Sequence, residues 1–245
     1  MPGWSAPLTV LPPGGGFTSV SCLSDTFCIA AGGGENQADA GRTGGAGVTD
    51  SWDGATWAEP SVYFPVPTGP AGAPAAPVMP AVSCTLGPEC VVVDGTDHVS
   101  TGDGTDWSLP AALSPAPPLP ANPADPGPGH PGSRRAAVSC SGPAFCAAVD
   151  NTGQAAVYKS GRWSPLQHLG AGAGGTGGPG GSALYVGGPV GLACPATDAC
   201  LAVVGTATFG WDGTSWSPQA PWATAPGAGA SGSGLSCPEV SSCWA

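Results

Sequence analysis

The sequence predicts an all-β protein built from repeated four-stranded units, and three observations support this prediction. The ten cysteines fall into pairs, and five residues separate the two members of every pair. A tryptophan follows the first cysteine at a nearly constant distance, as Trp107 follows Cys84 and Trp163 follows Cys140. Short runs of Val, Ala and Thr alternate with turns rich in Gly and Asp, which is typical of short strands.

The cysteine pairs mark the start of each unit. A serine precedes most first cysteines, and a short apolar run follows most second cysteines, such as VVV after Cys90. We predict one disulfide bond within each pair, closing the turn between the first two strands and contributing about 2 kcal/mol by loop entropy. Zinc is the alternative, but it usually requires four ligands and a shorter spacing; free thiols are the third possibility. The pairs are Cys22 with Cys28, Cys84 with Cys90, Cys140 with Cys146, Cys194 with Cys200, and Cys237 with Cys243.

The second unit shows the predicted strands most clearly. We place them at residues 81–84, 90–93, 98–101 and 105–108. An Asp-Gly pair precedes the fourth strand in three units, as at Asp103 and Gly104, and it predicts a type I′ hairpin turn. The third unit has Ser160 and Gly161 there. Four short strands repeated with a period of roughly sixty residues predict the blades of a β-propeller.

The repeat pattern extends over the whole chain. We predict a single β-propeller repeat domain over residues 1–245, with four complete blades and a partial repeat at each terminus. Trp4 resembles the end of a unit, and the last segment resembles the start of one. A fragment of a longer propeller is the arrangement we favour, and a five-bladed ring closed by the two partial repeats is the alternative. The repeat cores are residues 19–60, 81–110, 137–166 and 191–219, and the partial repeats are 1–12 and 234–245.

Composition restricts the classes of function. The chain has 5 Lys and Arg residues against 16 Asp and Glu residues, and its formal net charge is −11. This excludes the basic surface that binds nucleic acid, and no apolar run is long enough to span a bilayer. Ten cysteines predict an oxidising compartment, so we expect a secreted or cell-surface protein. The N-terminal segment nevertheless lacks the basic start and apolar run of a signal peptide.

No catalytic, cofactor-binding or metal-binding residue is predicted. Two Gly-x-Gly-x-x-Gly matches, which begin at Gly170 and Gly227, lack the preceding strand and following helix of a dinucleotide site. Four acids in the second unit lie on successive turns, where Asp commonly binds the backbone, and we predict no calcium site there. These acids are Asp94, Asp97, Asp103 and Asp106. The three histidines, His98, His130 and His168, have no neighbouring pattern of partners.

Two hairpins carry a resemblance to a known family. SWDGATW at 51–57 and GWDGTSW at 210–216 resemble the Asp-box hairpins of secreted bacterial β-propellers of the Asp-box (BNR) and kelch-like kind. The match lacks one residue between Asp and Gly, and the third unit has no Asp. The resemblance implies that the Asp binds the turn backbone and that Trp107, Trp163 and Trp216 are buried between sheets. By contrast, we expect Trp222 to be exposed.

The leading functional prediction is a non-catalytic extracellular module that binds an unidentified protein or glycan and uses no cofactor. We expect weak binding through two inserts, residues 32–45 and the Pro-rich connection to the third unit. The alternative is a sialidase-like or BNR glycoside hydrolase domain, or a truncated fragment of one; a truncated copy without function is the third reading. A sialidase-like site would need three converging arginines, and the chain offers Arg42, Arg134, Arg135 and Arg162. Other glycosidases need a pair of carboxylates, for which Asp53 and Glu59 are candidates.

Overall fold

The computed structural model describes eleven stretches of the chain. They are residues 15–34, 47–58, 62–64, 78–85, 89–95, 97–113, 134–169, 190–205, 207–219, 235–239 and 242–244. Within these stretches all regular secondary structure is β-strand. The predictions made for Arg42, Glu59, His130 and Trp222 concern residues outside the described part of the chain.

The strands form four sheets and a final hairpin. The first sheet contains β1 (Gly15–Ser24), β2 (Phe27–Gly34), β3 (Gly47–Trp52) and β4 (Val62–Phe64). A short strand, β5 (Val78–Met79), precedes the second sheet, which contains β6 (Ala81–Cys84), β7 (Cys90–Val93), β8 (His98–Gly102) and β9 (Ala111–Ala112).

The third sheet contains β10 (Arg134–Gly142), β11 (Phe145–Asp150), β12 (Gln154–Lys159), β13 (Arg162–Trp163) and β14 (Gln167–His168), and β5 pairs with β10 in parallel. The fourth sheet contains β15 (Val190–Ala196), β16 (Ala199–Val204), β17 (Ala207–Trp211) and β18 (Trp216–Pro218). The final hairpin pairs β19 (Ser236–Glu239) with β20 (Ser242–Trp244).

The first, second and fourth sheets are antiparallel meanders in chain order, and the third is such a meander with β5 added in parallel to β10. The sheets stack face to face. Their inner strands β1, β6, β10, β15 and β19 contact one another in this order. Successive four-stranded meanders packed through their inner strands are the blades of a β-propeller. The predicted all-β propeller fold is therefore confirmed, and the arrangement is also that of a propeller fragment.

Apolar clusters between neighbouring sheets form the core. Ile29 and Ala31 of the first sheet meet Val82 and Val92 of the second. Val93 and Val99 of the second sheet belong to a cluster with residues of the third. The largest cluster joins the third and fourth sheets and includes Phe145, Val157, Leu192 and Phe209. Because most core side chains are Ala and Val, each interface buries little apolar area per residue.

A repeated hydrogen bond adds to this packing. The backbone N–H of Cys84 donates to Ser21 Oγ of the preceding sheet at 2.9 Å. The N–H of Cys140 donates in the same way to Ser83 Oγ at 3.0 Å, and the N–H of Cys194 to Ser139 Oγ at 2.9 Å. The serines that precede Cys22, Cys84 and Cys140 therefore each bind the sheet that follows their own, a role that the sequence pattern did not reveal.

The structure contains all five disulfide bonds within their own units. Each one joins the first two strands of a sheet, or the two strands of the final hairpin, with a Cα–Cα distance of 4.0 Å. In the first three sheets the two cysteines are directly opposite partners, as Cys84 and Cys90 are. The described residues contain no free cysteine.

The fourth strand and its turn differ from the prediction. The strand expected at 105–108 is reduced to a single bridge between Gly102 and Trp107, and pairing resumes only in β9. Pro110 lacks the N–H that a continuous ladder needs. The Asp-Gly turns are not type I′ either, because only their glycines have positive φ, as Gly104 does at 94°. A positive φ at the first central residue alone is the signature of a type II′ turn.

The tryptophans that follow the hairpin turns are partly buried. Trp107, Trp163 and Trp216 are half-buried and lie at the margins of the three apolar clusters. The cause is their position next to a surface hairpin turn, at the outer edge of each sheet. There Trp163 packs against Tyr158 with ring centroids 5.5 Å apart.

Candidate functional site

The hairpin turn before the fourth strand has the same place in every sheet but a different charge in one of them. In the first, second and fourth sheets this turn contains Asp53, Asp103 or Asp212 and no basic residue. In the third sheet it contains Lys159 and Arg162 and no acid. We call residues 159–162 the basic hairpin. In a chain with net charge −11, it concentrates two of the five basic residues within one turn.

Backbone geometry explains how the turn of the third sheet can have basic residues in place of an Asp. In the acidic turns, the carboxylate accepts the N–H groups of the next turn residues, as Asp212 Oδ1 does from Thr214 and Ser215 at 2.8 and 2.7 Å. The basic hairpin has no such acceptor and instead has positive φ at both Ser160 (52°) and Gly161 (86°). It is therefore a type I′ turn, which holds its shape without an Asp side chain. The two flanking positions are free to carry basic side chains.

Lys159 connects the third and fourth sheets. Its Nζ donates to the carbonyl oxygen of Gly213 in the acidic turn of the fourth sheet. The same ammonium lies 5.1 Å from the ring centroid of Trp211 and 5.7 Å from that of Phe145. Cation–π contacts at such distances are favourable. They fix the position of one positive charge, whereas Arg162 is exposed at the other end of the turn.

A groove with a volume of about 870 Å³ runs beside the basic hairpin, between the third and fourth sheets. We call it the intersheet groove. Its walls include Lys159, Arg162, Trp163, Pro165, Trp211 and Thr214. It therefore combines two positive charges with indole and proline surfaces, a composition suited to an extended segment that carries both acidic and apolar groups.

The other predicted arginine positions do not meet at this groove. Arg135 lines a separate cavity of about 260 Å³ near the start of the inner strands, together with Phe17, Met79 and Val190. The backbone of Arg134 belongs to β10. The two described arginine side chains, Arg135 and Arg162, thus lie in different cavities.

The acidic turns bind their own backbone, as the resemblance implied. Hydrogen bonds from the N–H groups of Thr56 and Ala55 hold the pKa of Asp53 below its ordinary value. The N–H groups of Asp106 and Thr105 lower the pKa of Asp103 in the same way. The Thr214 hydroxyl and the Ser215 N–H lower the pKa of Asp212 to about 2. These carboxylates therefore stay ionised at neutral pH.

Unlike the turn aspartates, Asp50 has a buried carboxyl with a raised pKa. Its side chain is 1% exposed, and Oδ2 has no hydrogen-bond partner within the described part of the chain. Burial raises the pKa of the Asp50 carboxyl above its ordinary value, against the hydrogen bond that Oδ1 accepts from the Ser51 N–H at 2.8 Å. A buried carboxyl of this kind is out of reach of a large substrate.

The remaining sequence candidates have local structural roles. Asp94 Oδ1 accepts the N–H of His98 at 2.8 Å, and Asp94 Oδ2 lies 3.5 Å from His98 Nδ1. His168 is exposed in β14, and the backbone of Tyr63 and Phe64 lies in β4. In the described stretches, no three His, Cys, Asp or Glu side chains converge in a way that could hold a metal ion. The same stretches contain no helix with the length and apolarity needed to cross a bilayer.

The stacked four-stranded sheets define the class of this chain as a disulfide-bonded propeller repeat protein. Two structures of YCF48 are among the solved structures that are similar to it. YCF48 from Cyanidioschyzon merolae is 18% identical with a TM-score of 0.49, and the match covers 87% of this chain and 59% of that one. YCF48 bound to D1 peptide is 13% identical with a TM-score of 0.29, and the match covers 87% of this chain and 70% of that one.

At these identities the comparison concerns the fold alone, and this chain spans 59% of the first YCF48 structure. No protein-family model matches the sequence. No curated protein sequence is significantly similar to it either.

Sequence reasoning noticed that the third unit lacks the Asp of the other turns, but it did not single out Lys159. Arg162 entered only as one of four arginines available to a sialidase-like site. Aligning the repeats position by position gives the missing signal, because Lys159 stands where Asp53, Asp103 and Asp212 stand. The contribution of Trp211 to the groove could not be found this way, since it belongs to the next sheet.

Proposed function

We propose that this chain is a non-catalytic interaction module whose intersheet groove binds an acidic segment of a partner protein. The observation that carries the proposal is the reversal of charge at the basic hairpin. Three equivalent turns are acidic, and only the turn beside the intersheet groove is basic. A purely structural turn has no need of this reversal, because Ser160 and Gly161 already determine its backbone.

Charge complementarity selects the partner. Carboxylates bind an exposed guanidinium in bidentate fashion, and Arg162 is exposed at the rim of the groove. The net charge of −11 opposes the approach of an acidic partner at long range. Physiological salt screens such repulsion beyond about 8 Å, so the local positive charges of Lys159 and Arg162 dominate the contact.

The aromatic walls supply the second component of binding. Trp163 and Trp211 are half-buried, so part of each indole faces the groove. Indole surfaces at the centre of an interface contribute strongly to affinity. We therefore expect a bound segment to place an apolar side chain against Trp211 while its carboxylates reach Arg162.

The experiment is a selection of displayed short peptides on the folded, oxidised protein, followed by affinity measurements. We expect acidic peptides to be enriched. Arg162→Glu should weaken the best peptide at least tenfold, or about 1.4 kcal/mol, and Arg162→Lys should retain part of the affinity. Affinity should also fall as salt increases, because exposed charges carry the contact.

A matched control tests the location. Asp106 occupies in the second sheet the position of Arg162 in the third. Asp106→Lys changes the charge by the same amount in the opposite direction and should leave peptide affinity unchanged. Selection of neutral or basic peptides, or equal affinity for wild type and Arg162→Glu, would refute the proposal. If the protein selects no peptide, the result would instead favour the hypothesis that the chain is a truncated copy without function.

The glycoside hydrolase alternative has weaker support from the site. A general acid needs a raised pKa and access to the substrate. The pKa of Asp53 is lowered by backbone hydrogen bonds. Asp50 has the raised pKa but is 1% exposed. Neither Asp50 nor Asp53 therefore combines a raised pKa with access to a sugar substrate.

The cysteines indicate the cellular location in which this function takes place. Five disulfide bonds fit an oxidising compartment. We therefore propose a secreted or cell-surface module, with residues 1–245 acting as one repeat domain. An acidic segment of another extracellular protein is the partner that fits this setting.

A further inference from the structure

The inner strands of all four sheets begin around one shared cavity, which has a volume of about 260 Å³ and which Arg135 lines. In a propeller the sheets surround a central channel. Strand β1 of the first sheet and β15 of the fourth both contribute to this cavity, so the row of sheets curves around it. We call it the axial cavity. One of its wall positions is the residue four places before the first cysteine of each unit, namely Thr18, Pro80, Ala136 and Val190.

The other wall position is the residue five places before the first cysteine, and its chemistry differs from unit to unit. The residue is Phe17 in the first sheet, Met79 just before the second and Arg135 in the third. Positions with a structural role vary less, as the cysteines and the serines before most of them show. An aromatic ring, a thioether and a guanidinium at equivalent positions instead resemble a ligand site, in which apolar walls surround a few polar groups.

Arg135 is half-buried, and its backbone is fixed on both sides. At this residue β10 pairs with Met79 of β5, and the Arg135 carbonyl oxygen accepts the Asn151 N–H at 3.0 Å. The guanidinium, by contrast, has no hydrogen bond and no ion pair within the described part of the chain. Partial burial costs a cation some of its hydration. An anion that enters the cavity replaces the lost hydration with charge-assisted hydrogen bonds.

The wall that β1 forms is fixed by contacts with neighbouring residues. Phe17 stacks on Trp57 with ring centroids 6.0 Å apart. Thr18 is the extra residue of a β-bulge in β1, and its hydroxyl donates to the Pro80 carbonyl oxygen at 2.7 Å. Bulges re-aim side chains and are frequent beside functional sites. Because Thr18 is also exposed, solvent reaches the wall of the cavity on this side.

We propose that the axial cavity binds a small organic carboxylate that carries an apolar group. The carboxylate accepts hydrogen bonds from the guanidinium of Arg135, and the apolar group lies against Phe17 and Met79. The volume of about 260 Å³ is slightly below the usual range of ligand pockets, roughly 300–1,000 Å³, so the ligand is a small molecule. The axial cavity and the intersheet groove share no described residue, and this inference does not depend on peptide binding at the groove.

The test follows the methionine methyl signals of the folded, oxidised protein by NMR. The chain has two methionines, Met1 and Met79, and Met79→Leu identifies the signal of Met79. We expect phenylacetate to shift this signal saturably, because its ring lies beside the methyl group. Acetate lacks the apolar group and 2-phenylethanol lacks the charge, so each should bind roughly tenfold more weakly or worse.

Arginine variants locate the charge. Arg135→Gln should weaken phenylacetate binding by roughly tenfold or more, and Arg135→Lys should retain part of the affinity. Arg162→Gln removes the same charge at the intersheet groove and is the matched control, which should bind phenylacetate like wild type. An unchanged thermal midpoint confirms that each variant folds.

Several outcomes would overturn the proposal. They are the absence of a saturable shift of the Met79 signal, equal affinity for phenylacetate and either comparison compound, and equal phenylacetate affinity of wild type and Arg135→Gln. Equal weakening by Arg135→Gln and Arg162→Gln would overturn it as well. The series of compounds is measured on wild type, so it decides the proposal even if Arg135→Gln does not fold. Failure of peptide selection at the intersheet groove leaves these outcomes unchanged.

Discussion

At the scale of single residues, this protein uses polar side chains to organise backbone and not to perform chemistry. Three aspartates close type II′ turns by accepting backbone N–H groups, and three serines fasten neighbouring sheets. A sequence rich in Ala and Gly has few large side chains with which to stabilise its turns and the contacts between neighbouring sheets, which we call seams. Hydrogen bonds from short polar residues serve that purpose.

Asp212 gives a pH-dependent prediction at this scale. Its native pKa of about 2 lies below the ordinary value of 3.8, so the native state binds fewer protons than the unfolded state. The stabilisation is complete above the unfolded value and is lost as the pH falls through the native one. We expect the stability difference between wild type and Asp212→Asn to shrink between roughly pH 5 and pH 2, measured by denaturant unfolding.

A second variant isolates the cause of the lowered pKa. The Thr214 hydroxyl is its largest contributor, donating to Asp212 Oδ1 at 2.7 Å. Thr214→Val should therefore raise the native pKa of Asp212, as followed by NMR titration of the carboxyl carbon. An ordinary pKa in wild type would contradict the turn geometry.

At the scale of elements, the seam between the fourth sheet and the final hairpin differs from the other three. Ala193 stands where Ser21, Ser83 and Ser139 stand in the preceding sheets. Its methyl group cannot accept the N–H of Cys237. An isolated two-stranded hairpin is marginally stable, so β19 and β20 depend on their contact with β15.

Ala193→Ser should strengthen this seam. The added hydroxyl supplies the missing acceptor for the N–H of Cys237, and a hydrogen bond of this kind contributes about 1 kcal/mol. We expect slower hydrogen exchange at Cys237 and in the rest of the hairpin. Ser139→Ala is the reciprocal control, and it should destabilise the protein by about 1–3 kcal/mol because the Cys194 N–H loses its acceptor. Unchanged exchange in Ala193→Ser together with a neutral Ser139→Ala would show that the seam serines contribute little.

The elements also show which features the sequence could predict. Strands β6 and β7 fall where alternating apolar residues and cysteines place them, because both patterns are local. The predicted turn type was wrong. A type I′ turn needs positive φ at both central residues, whereas here the Asp carboxylate accepts the turn N–H groups and only Gly104 and its counterparts have positive φ. The groove was missed because it joins Lys159 and Trp211, which belong to different sheets. The residue pattern of a single repeat cannot predict which side chains of two different repeats contact each other.

At the scale of the whole molecule, stability is distributed along a row of similar units. Each sheet contacts mainly its neighbours, so stability is approximately a sum of unit and seam contributions. The units have small cores of Ala and Val, and each one contains a disulfide bond between its first two strands. We therefore expect the disulfides to supply a large part of the net stability, which for domains is only about 5–15 kcal/mol in total.

Two disulfide deletions test this distribution. Replacing both Cys22 and Cys28 by Ala removes a bond whose cysteines are partly exposed, and it should cost about 2 kcal/mol through loop entropy alone. Replacing Cys84 and Cys90 removes a buried bond, since these residues are 9% and 0% exposed. This second variant should be less stable than the first, because lost packing adds to the same entropic loss. Denaturant unfolding of both variants under oxidising conditions provides the measurement. Equal losses at the two sites would show that the cysteines of the second sheet contribute no packing energy to the seam.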